Sequence, residues 1–391
     1  MKRSSERILT THVGSLPRPD GLVKMIRQRL SGEPVDADTY DRQVAAAVAQ
    51  TVRRQGGVGI DVVTDGEMGK IGFIPYINDR LAGFEPDAEG KHGLGGSYWD
   101  ASREVLSFPG FYDWAAKLPG SAGPVGSTRW LCTGPIAYKG HDKLQKDIDN
   151  LKAALEGVPH AEVFMPAISP ANVEDWQKNL HYEKQDDYLY AIAEALSEEY
   201  KAIVEAGFLL QVDDPLFATY YILHPELSIE DCRRWAAVRI EALNHALRDI
   251  PEDRVRYHTC YSINMGPRVH DMELKDLIDL MLSIKAGAYS FEAGNPRHDH
   301  EWRLWENAGL PEGKSLIPGV ITHSSVVVEH PELVAQRLLH YASVVGRENV
   351  IAGADCGFAS FATTHEIHAE VVWAKMAALV EGARLASERL W

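Results

Sequence analysis

The sequence predicts an α/β fold closed into a (β/α)8 TIM barrel that carries an extended insertion after its second strand. Two observations set that class. Amphipathic helical stretches alternate with short apolar runs along the whole chain, and glycines stand between the two. Alternation of this kind builds a parallel sheet covered by helices. Residues able to do chemistry stand at or just past the C-terminal ends of many apolar runs: Ser15, Glu67, Asp213, His258, Cys260, Glu292, His323 and Cys356. An open doubly wound sheet separates its outer strand ends, whereas a barrel gathers all of them at one mouth.

The elements follow in order. A first strand ends in Thr10-Thr11-His12-Val13-Gly14-Ser15, and residues 16–44 form a lead-in. A helical stretch at 45–54 passes through Gly56-Gly57 into Ile60-Asp61-Val62-Val63-Thr64-Asp65-Gly66-Glu67. Residues 71–126 are the insertion, rich in Gly, Pro and the aromatics Phe73, Tyr76, Tyr98, Trp99, Phe108, Phe111, Tyr112 and Trp114. Loops of that length are usually lids or oligomer contacts. Strand-like runs at 128–133 and 162–168 give one strand more than a barrel holds, so one of the two is expected at the periphery. Helical residues 188–205 lead through Gly207 to Phe208-Leu209-Leu210-Gln211-Val212-Asp213-Asp214-Pro215. After the run at 255–260, residues 274–285 lead through Gly287 to Tyr289-Ser290-Phe291-Glu292, and residues 333–345 lead through Gly346 to Val350-Ile351-Ala352-Gly353-Ala354-Asp355-Cys356. Glycine ends helices because it takes the left-handed cap conformation at little cost. With no Pro/Ser-rich linker and no short repeat, one elaborated domain is expected to span 1–391.

Composition narrows the function. The 391 residues are 45% apolar and 25% charged, ordinary for a globular enzyme. A net charge of −16 argues against nucleic acid as a partner, because that affinity comes from neutralising phosphates. No run reaches a membrane-spanning length and the start, MKRSSERILT, has no signal-like apolar stretch, so a cytoplasmic location is expected. There are four cysteines, Cys132, Cys232, Cys260 and Cys356, and a reducing compartment leaves them as thiols.

The strand period of two places His258 and Cys260 on one face. With Glu292 closing the next run and Cys356 closing the last, they form a nitrogen, sulfur and oxygen set suited to zinc. Cys132 and Cys232 read as core packing, the usual role of an isolated cysteine. Two thiolates already neutralise Zn²⁺ and a carboxylate adds further negative charge, which makes it a weak source of hydroxide but still able to hold an incoming thiol as thiolate. The natural chemistry is alkyl transfer to a thiol.

These runs together resemble the catalytic C-terminal half of cobalamin-independent methionine synthase, and more closely its short, single-domain homologues. The matching segments are Thr10-Thr11-His12-Val13-Gly14-Ser15, Asp65-Gly66-Glu67, Thr133-Gly134-Pro135, Gln211-Val212-Asp213-Asp214-Pro215, His258-Thr259-Cys260, Gly319-Val320-Ile321-Thr322-His323-Ser324 and Asp355-Cys356-Gly357. The resemblance implies zinc on His258, Cys260, Glu292 and Cys356, and a thiol amino acid held by Ser15, Glu67 and Asp213. It implies that His323 handles the proton at the methyl donor's leaving nitrogen. The competing readings make Glu67 and Asp213 partners of arginines or helix caps, and His323 an ordinary histidine. Three departures stand out: Asp214 replaces the usual glutamate, Ile136-Ala137-Tyr138-Lys139 lacks the family's folate-stacking tryptophan, and the insertion lies outside the core synthase.

The expected function is zinc-dependent S-alkyl transfer, with methyl passing from a methylated folate or a corrinoid protein to homocysteine. Thiol alkylation with coenzyme M, as in epoxyalkane transferases, is the enzymatic alternative; Arg18 or Arg297 lining the mouth would favour its sulfonate. A zinc- or thiol-binding pseudoenzyme is the non-enzymatic one. Phe111, Tyr112 and Trp114 suit a subunit contact, which makes a homodimer one expectation.

Overall fold

The computed structural model describes residues 1–87, 101–117, 130–261, 266–362 and 367–391. Its strands, in chain order, are β1 (Leu9–Thr10), β2 (Val62–Val63), β3 (Leu81–Pro86), β4 (Trp130–Tyr138), β5 (Glu162–Ile168), β6 (Lys178–Asn179), β7 (Leu209–Asp213), β8 (Val255–Thr259), β9 (Ala288–Phe291), β10 (Ser315–Ile321) and β11 (Ile351–Ala354). Eight of them form one parallel sheet in the order β1-β11-β10-β9-β8-β7-β5-β2. Its two outer strands meet: Asp61 N donates to Thr10 O and Leu16 N to Gly66 O (each 3.1 Å), and Thr11 Oγ1 donates to Val62 O at 3.1 Å. This is the expected barrel, with helices on its outside.

The surplus strand resolves by burial. β5 is buried at every residue after its first, as a strand inside a barrel must be. β4 alternates exposed and half-buried positions from Thr133 to Ala137 and lies in a separate sheet of order β3-β4-β6, antiparallel to β3. The run at 128–133 is therefore the peripheral one.

Helix ends depart from expectation in two places. Gly56 and Gly57 lie inside the helix Ala37–Val58, and the left-handed cap is Gly59, at φ 99°. The expected helix at 274–285 is a 3-10 turn, Leu274–Asp276, followed by a short helix, Ile278–Leu282; Leu277, at φ −119°, interrupts the helical path between them.

The barrel interior carries polar groups beneath the mouth. Arg256 on β8 is fully buried; it donates to Thr11 Oγ1 (2.9 Å) and His12 O (2.8 Å), and its guanidinium lies 4.0 Å over the Phe164 ring. Burial lowers its pKa to about 9, and nearby Asp213 opposes that shift.

Parts of the insertion, including Tyr98, Trp99 and residues 118–126, lie outside the described residues. Its described part holds the helices Phe73–Arg80, Arg103–Ser107 and Pro109–Ala115. Arg103 Nε donates to Tyr221 O at 2.7 Å, and the buried Glu104 Oε1 accepts from Val269 N (2.6 Å) and His270 N (2.7 Å). The insertion thus rests on segments that follow β7 and β8, at the barrel mouth. Of the three aromatics expected at a subunit contact, Trp114 is exposed, while Phe111 and Tyr112 are half-buried. No helix among the described residues is long and apolar enough to cross a membrane.

Candidate metal centre

His258 sits near the end of β8, Cys260 just past it, and Cys356 two residues beyond β11. The pleat turns His258 and Cys260 the same way, and the β8-β9-β10-β11 order curves Cys356 toward them. One ligand atom from each of the three lies within 4.8 Å of the others, all buried. The Cys260 and Cys356 sulfurs are 3.1 Å apart and both cysteines are free thiols. The hydrogen bond with Cys260, together with burial, drives the Cys356 pKa well above the usual thiol value. His258 Nδ1 faces Ser290 Oγ at 3.1 Å, whereas its Nε2 is buried with no hydrogen-bond partner among the described residues. Burial, reinforced by Arg256 and His323, lowers its pKa to about 3, so the imidazole is neutral.

An orphaned imidazole nitrogen beside two thiols in mutual contact forms a donor set that fits a thiophilic cation. Cys132, on β4, and Cys232, in the helix Ile229–Ala246, are buried and belong to no such group among the described residues.

Glu292, expected as the fourth ligand, lies close enough to Cys356 for its charge to act on that thiol and has further partners of its own. Its carboxylate groups with His323 and Asp355, again within 4.8 Å. Tyr261 N donates to Oε1 at 2.7 Å, while Arg268 Nη1 (3.1 Å) and Asn295 Nδ2 (2.6 Å) donate to Oε2. Burial raises its pKa, and Arg268 opposes the shift. Asp355 Oδ1 accepts from Ala293 N (2.8 Å) and Gly294 N (2.7 Å), and burial raises its pKa to about 6. His323, buried just past β10, completes this second cluster.

The expected amino acid end lies across the mouth. Ser15 interlocks with the Cys356 loop: its Oγ accepts from Ala359 N at 3.4 Å, and a Cβ on Gly357 would come within 2.0 Å of it. Only glycine allows that approach. Glu67, at φ 57°, is buried with Oε1 against Gly14, 2.7 Å from where a Cβ would be. Asp213 ends β7 and accepts from Gln211 Nε2 at 2.7 Å. Burial raises the pKa of both acids, that of Asp213 far above the carboxylate range with Glu67 adding to the shift. Asp214, not Asp213, is the helix cap: its Oδ1 accepts from Phe217 N (3.3 Å) and Asn172 Nδ2 (2.7 Å).

Arg18 does not offer its guanidinium to an anion in the mouth. Nη1 donates to Ala359 O (2.8 Å), and Nη2 to Glu67 O and Lys70 O (each 2.7 Å). Arg297 is part-exposed and donates to Val269 O at 3.0 Å.

Sequence reasoning gave no role to Asp355, Arg268 or Asn295. Asp355 adjoins Cys356 and Asn295 follows Glu292 by three residues, so local spacing could have found both. Arg268 reaches Glu292 only through the backbone path after β8, and no spacing signals that.

Comparison with known proteins agrees with this architecture. The family model for the catalytic domain of cobalamin-independent synthase matches residues 8–105 and 169–379. The Thr133-Gly134-Pro135 run falls in the unmatched stretch, on peripheral β4. The chain is 24% identical over 384 residues to a methionine synthase of Sulfurisphaera tokodaii, covering 97% of this chain and 93% of that protein. It is 22% identical to one of Thermococcus kodakarensis, covering 97% and 94%. A B12-independent methionine synthase from Shewanella sp. W3-18-1, solved with selenomethionine, superposes with a TM-score of 0.69 at 17% identity, covering 98% of this chain and 99% of that one. The chain belongs to the family of cobalamin-independent synthase catalytic domains.

Proposed function

We propose that this chain methylates the sulfur of homocysteine to form methionine, using zinc held by His258, Cys260 and Cys356 with Glu292 as an exchangeable fourth partner. The observation that carries the reading is the buried triad itself: a neutral imidazole with an unused nitrogen beside two free thiols. When bound, zinc would hold the substrate sulfur as thiolate at neutral pH, against a free-thiol pKa of about 8.5.

The chain's own residues supply the rest. Glu67 and Asp213 are buried acids whose pKa values stay raised by burial although Lys70 opposes the shift in both, and an ammonium group would favour their charged forms further. Ser15, fixed against Gly357, ties that pocket to the Cys356 loop and offers a hydroxyl to the amino acid. The sulfur attacks the methyl carbon in line; the carbon–nitrogen bond of a methylated folate breaks, and its electron pair stays on nitrogen. His323 delivers the proton there, with Asp355 beside it to balance the imidazolium. With a corrinoid protein as donor, the methyl–cobalt bond would break instead, and no proton would be needed at the leaving group.

Coenzyme M is the poorer fit. Its sulfonate needs a cation in the mouth, while Arg18 is spent on backbone carbonyls and the facing pocket is acidic. The test is to offer the zinc-loaded protein homocysteine and coenzyme M, each with methyltetrahydrofolate and with methylcobalamin, and to follow products by mass spectrometry. Methionine as the product supports the reading; alkylated coenzyme M without methionine contradicts it.

A further inference from the structure

We propose that Arg268 is a positioning residue that competes with the metal for Glu292 and receives this carboxylate when a thiol enters. The inference rests on the zinc–thiol reading above and adds a residue that the reading does not use.

The structure provides Glu292 with a complete second seat. Both carboxylate oxygens are satisfied by N–H groups of Tyr261, Arg268 and Asn295, and the carboxylate groups with His323 and Asp355 while its charge still acts on Cys356. The seat is costly to build. Arg268 is 7% exposed and takes φ 43°, a left-handed conformation unfavourable for a side chain with a Cβ.

Several groups hold that conformation. Arg268 Nη2 donates to Asp271 Oδ2 at 2.8 Å. His298 faces the same oxygen at 3.2 Å, stacks on Tyr261 at 4.1 Å, and pairs with Glu301 at 2.8 Å. The two residues after Arg268 give their amides to Glu104 of the insertion. The long excursion after β2 therefore fixes the arginine beside Glu292.

The consequence has a sign. Without Arg268 the second seat keeps only the Tyr261 and Asn295 donors and loses its positive charge, so it holds Glu292 less well, zinc is held more tightly and the thiol displaces the carboxylate less easily. A merely supporting arginine predicts the reverse for zinc.

The experiment uses the full-length holoenzyme. Zinc affinity is measured by competition with a chromophoric chelator, and homocysteine KM and kcat are measured separately, in wild type, Arg268→Gln and Arg268→Lys. We expect R268Q to keep its zinc, bind it about tenfold more tightly and need about tenfold more homocysteine for half-saturation, with R268K between it and wild type. Should R268Q fail to fold, Asn295→Leu removes one donor from the same oxygen and should shift both quantities the same way, by less. Weaker zinc binding, or no change in either quantity, overturns the role of Arg268. Wild-type protein that binds no zinc overturns the zinc–thiol reading itself, so the two failures are distinguishable.

Discussion

The two ends of the barrel mouth are equally buried and lie at the C-terminal ends of strands, yet what each suits is different. At the β8 and β11 end, an imidazole nitrogen has no hydrogen-bond partner among the described residues and two thiols touch each other. At the β1, β2 and β7 end, burial raises the pKa of two carboxylates, and Glu67 raises that of Asp213 further. The first set suits a soft Lewis acid; the second, where Lys70 only partly offsets the burial of two acids, suits added positive charge. Ser15 against Gly357 joins them at close contact. A molecule with a thiol at one end and an ammonium at the other meets both needs, which is why the proposed substrate is an amino acid thiol.

Separating the two ends experimentally tests that comparison. The largest effect is expected from Cys356→Ser. Residues behind metal ligands typically cost up to about a hundredfold in affinity, so losing a ligand should cost more than that and strip most of the zinc. Circular dichroism should show the fold intact; full zinc retention would remove Cys356 from the ligand set.

The charge network behind Glu292 should appear in stability. Burial opposes the charge on His298, but Asp271 and Glu301 outweigh it and raise the pKa from 6.5 to about 9. A raised pKa means stability that is complete below pH 6.5 and lost as pH climbs through 9, an effect of roughly 3 kcal/mol. Denaturant titrations at pH 6 and pH 9.5 should show that loss in wild type and a much smaller one in His298→Gln. Equal losses would take His298 out of the network.

A smaller and more selective effect is expected at the other end. Asp213→Asn should weaken homocysteine by about 2 kcal/mol, the scale of one charged hydrogen bond, while leaving a simple alkyl thiol and the zinc content untouched. Comparable weakening of both thiols would deny Asp213 its ammonium.

Much of this was legible in the chain. Alternating helix and strand patterns and the clustering of chemistry at strand ends led to the barrel, since both follow from local periodicity. His258 and Cys260 share a face because a pleat repeats every two residues, and that too is local. The identity of the surplus strand was less accessible. The run at 128–133 and β5 look alike as short apolar stretches, and only the exposure of alternate residues along β4 shows that one of its faces meets water. Arg268 was invisible, because its approach to Glu292 depends on a left-handed backbone and on amides held by Glu104, from a part of the chain far away in sequence. Glu292 itself was recognised as important, but whether its carboxylate joins the sulfur cluster or the neighbouring one is decided by those same distant contacts.

The most direct test of the central claim is zinc content combined with zinc-edge X-ray absorption, recorded before and after adding homocysteine. The account predicts about one equivalent of zinc in a nitrogen- and sulfur-rich shell that gains a sulfur neighbour when homocysteine is added. Protein prepared with zinc available that holds none, or a shell that homocysteine leaves unchanged, would contradict it.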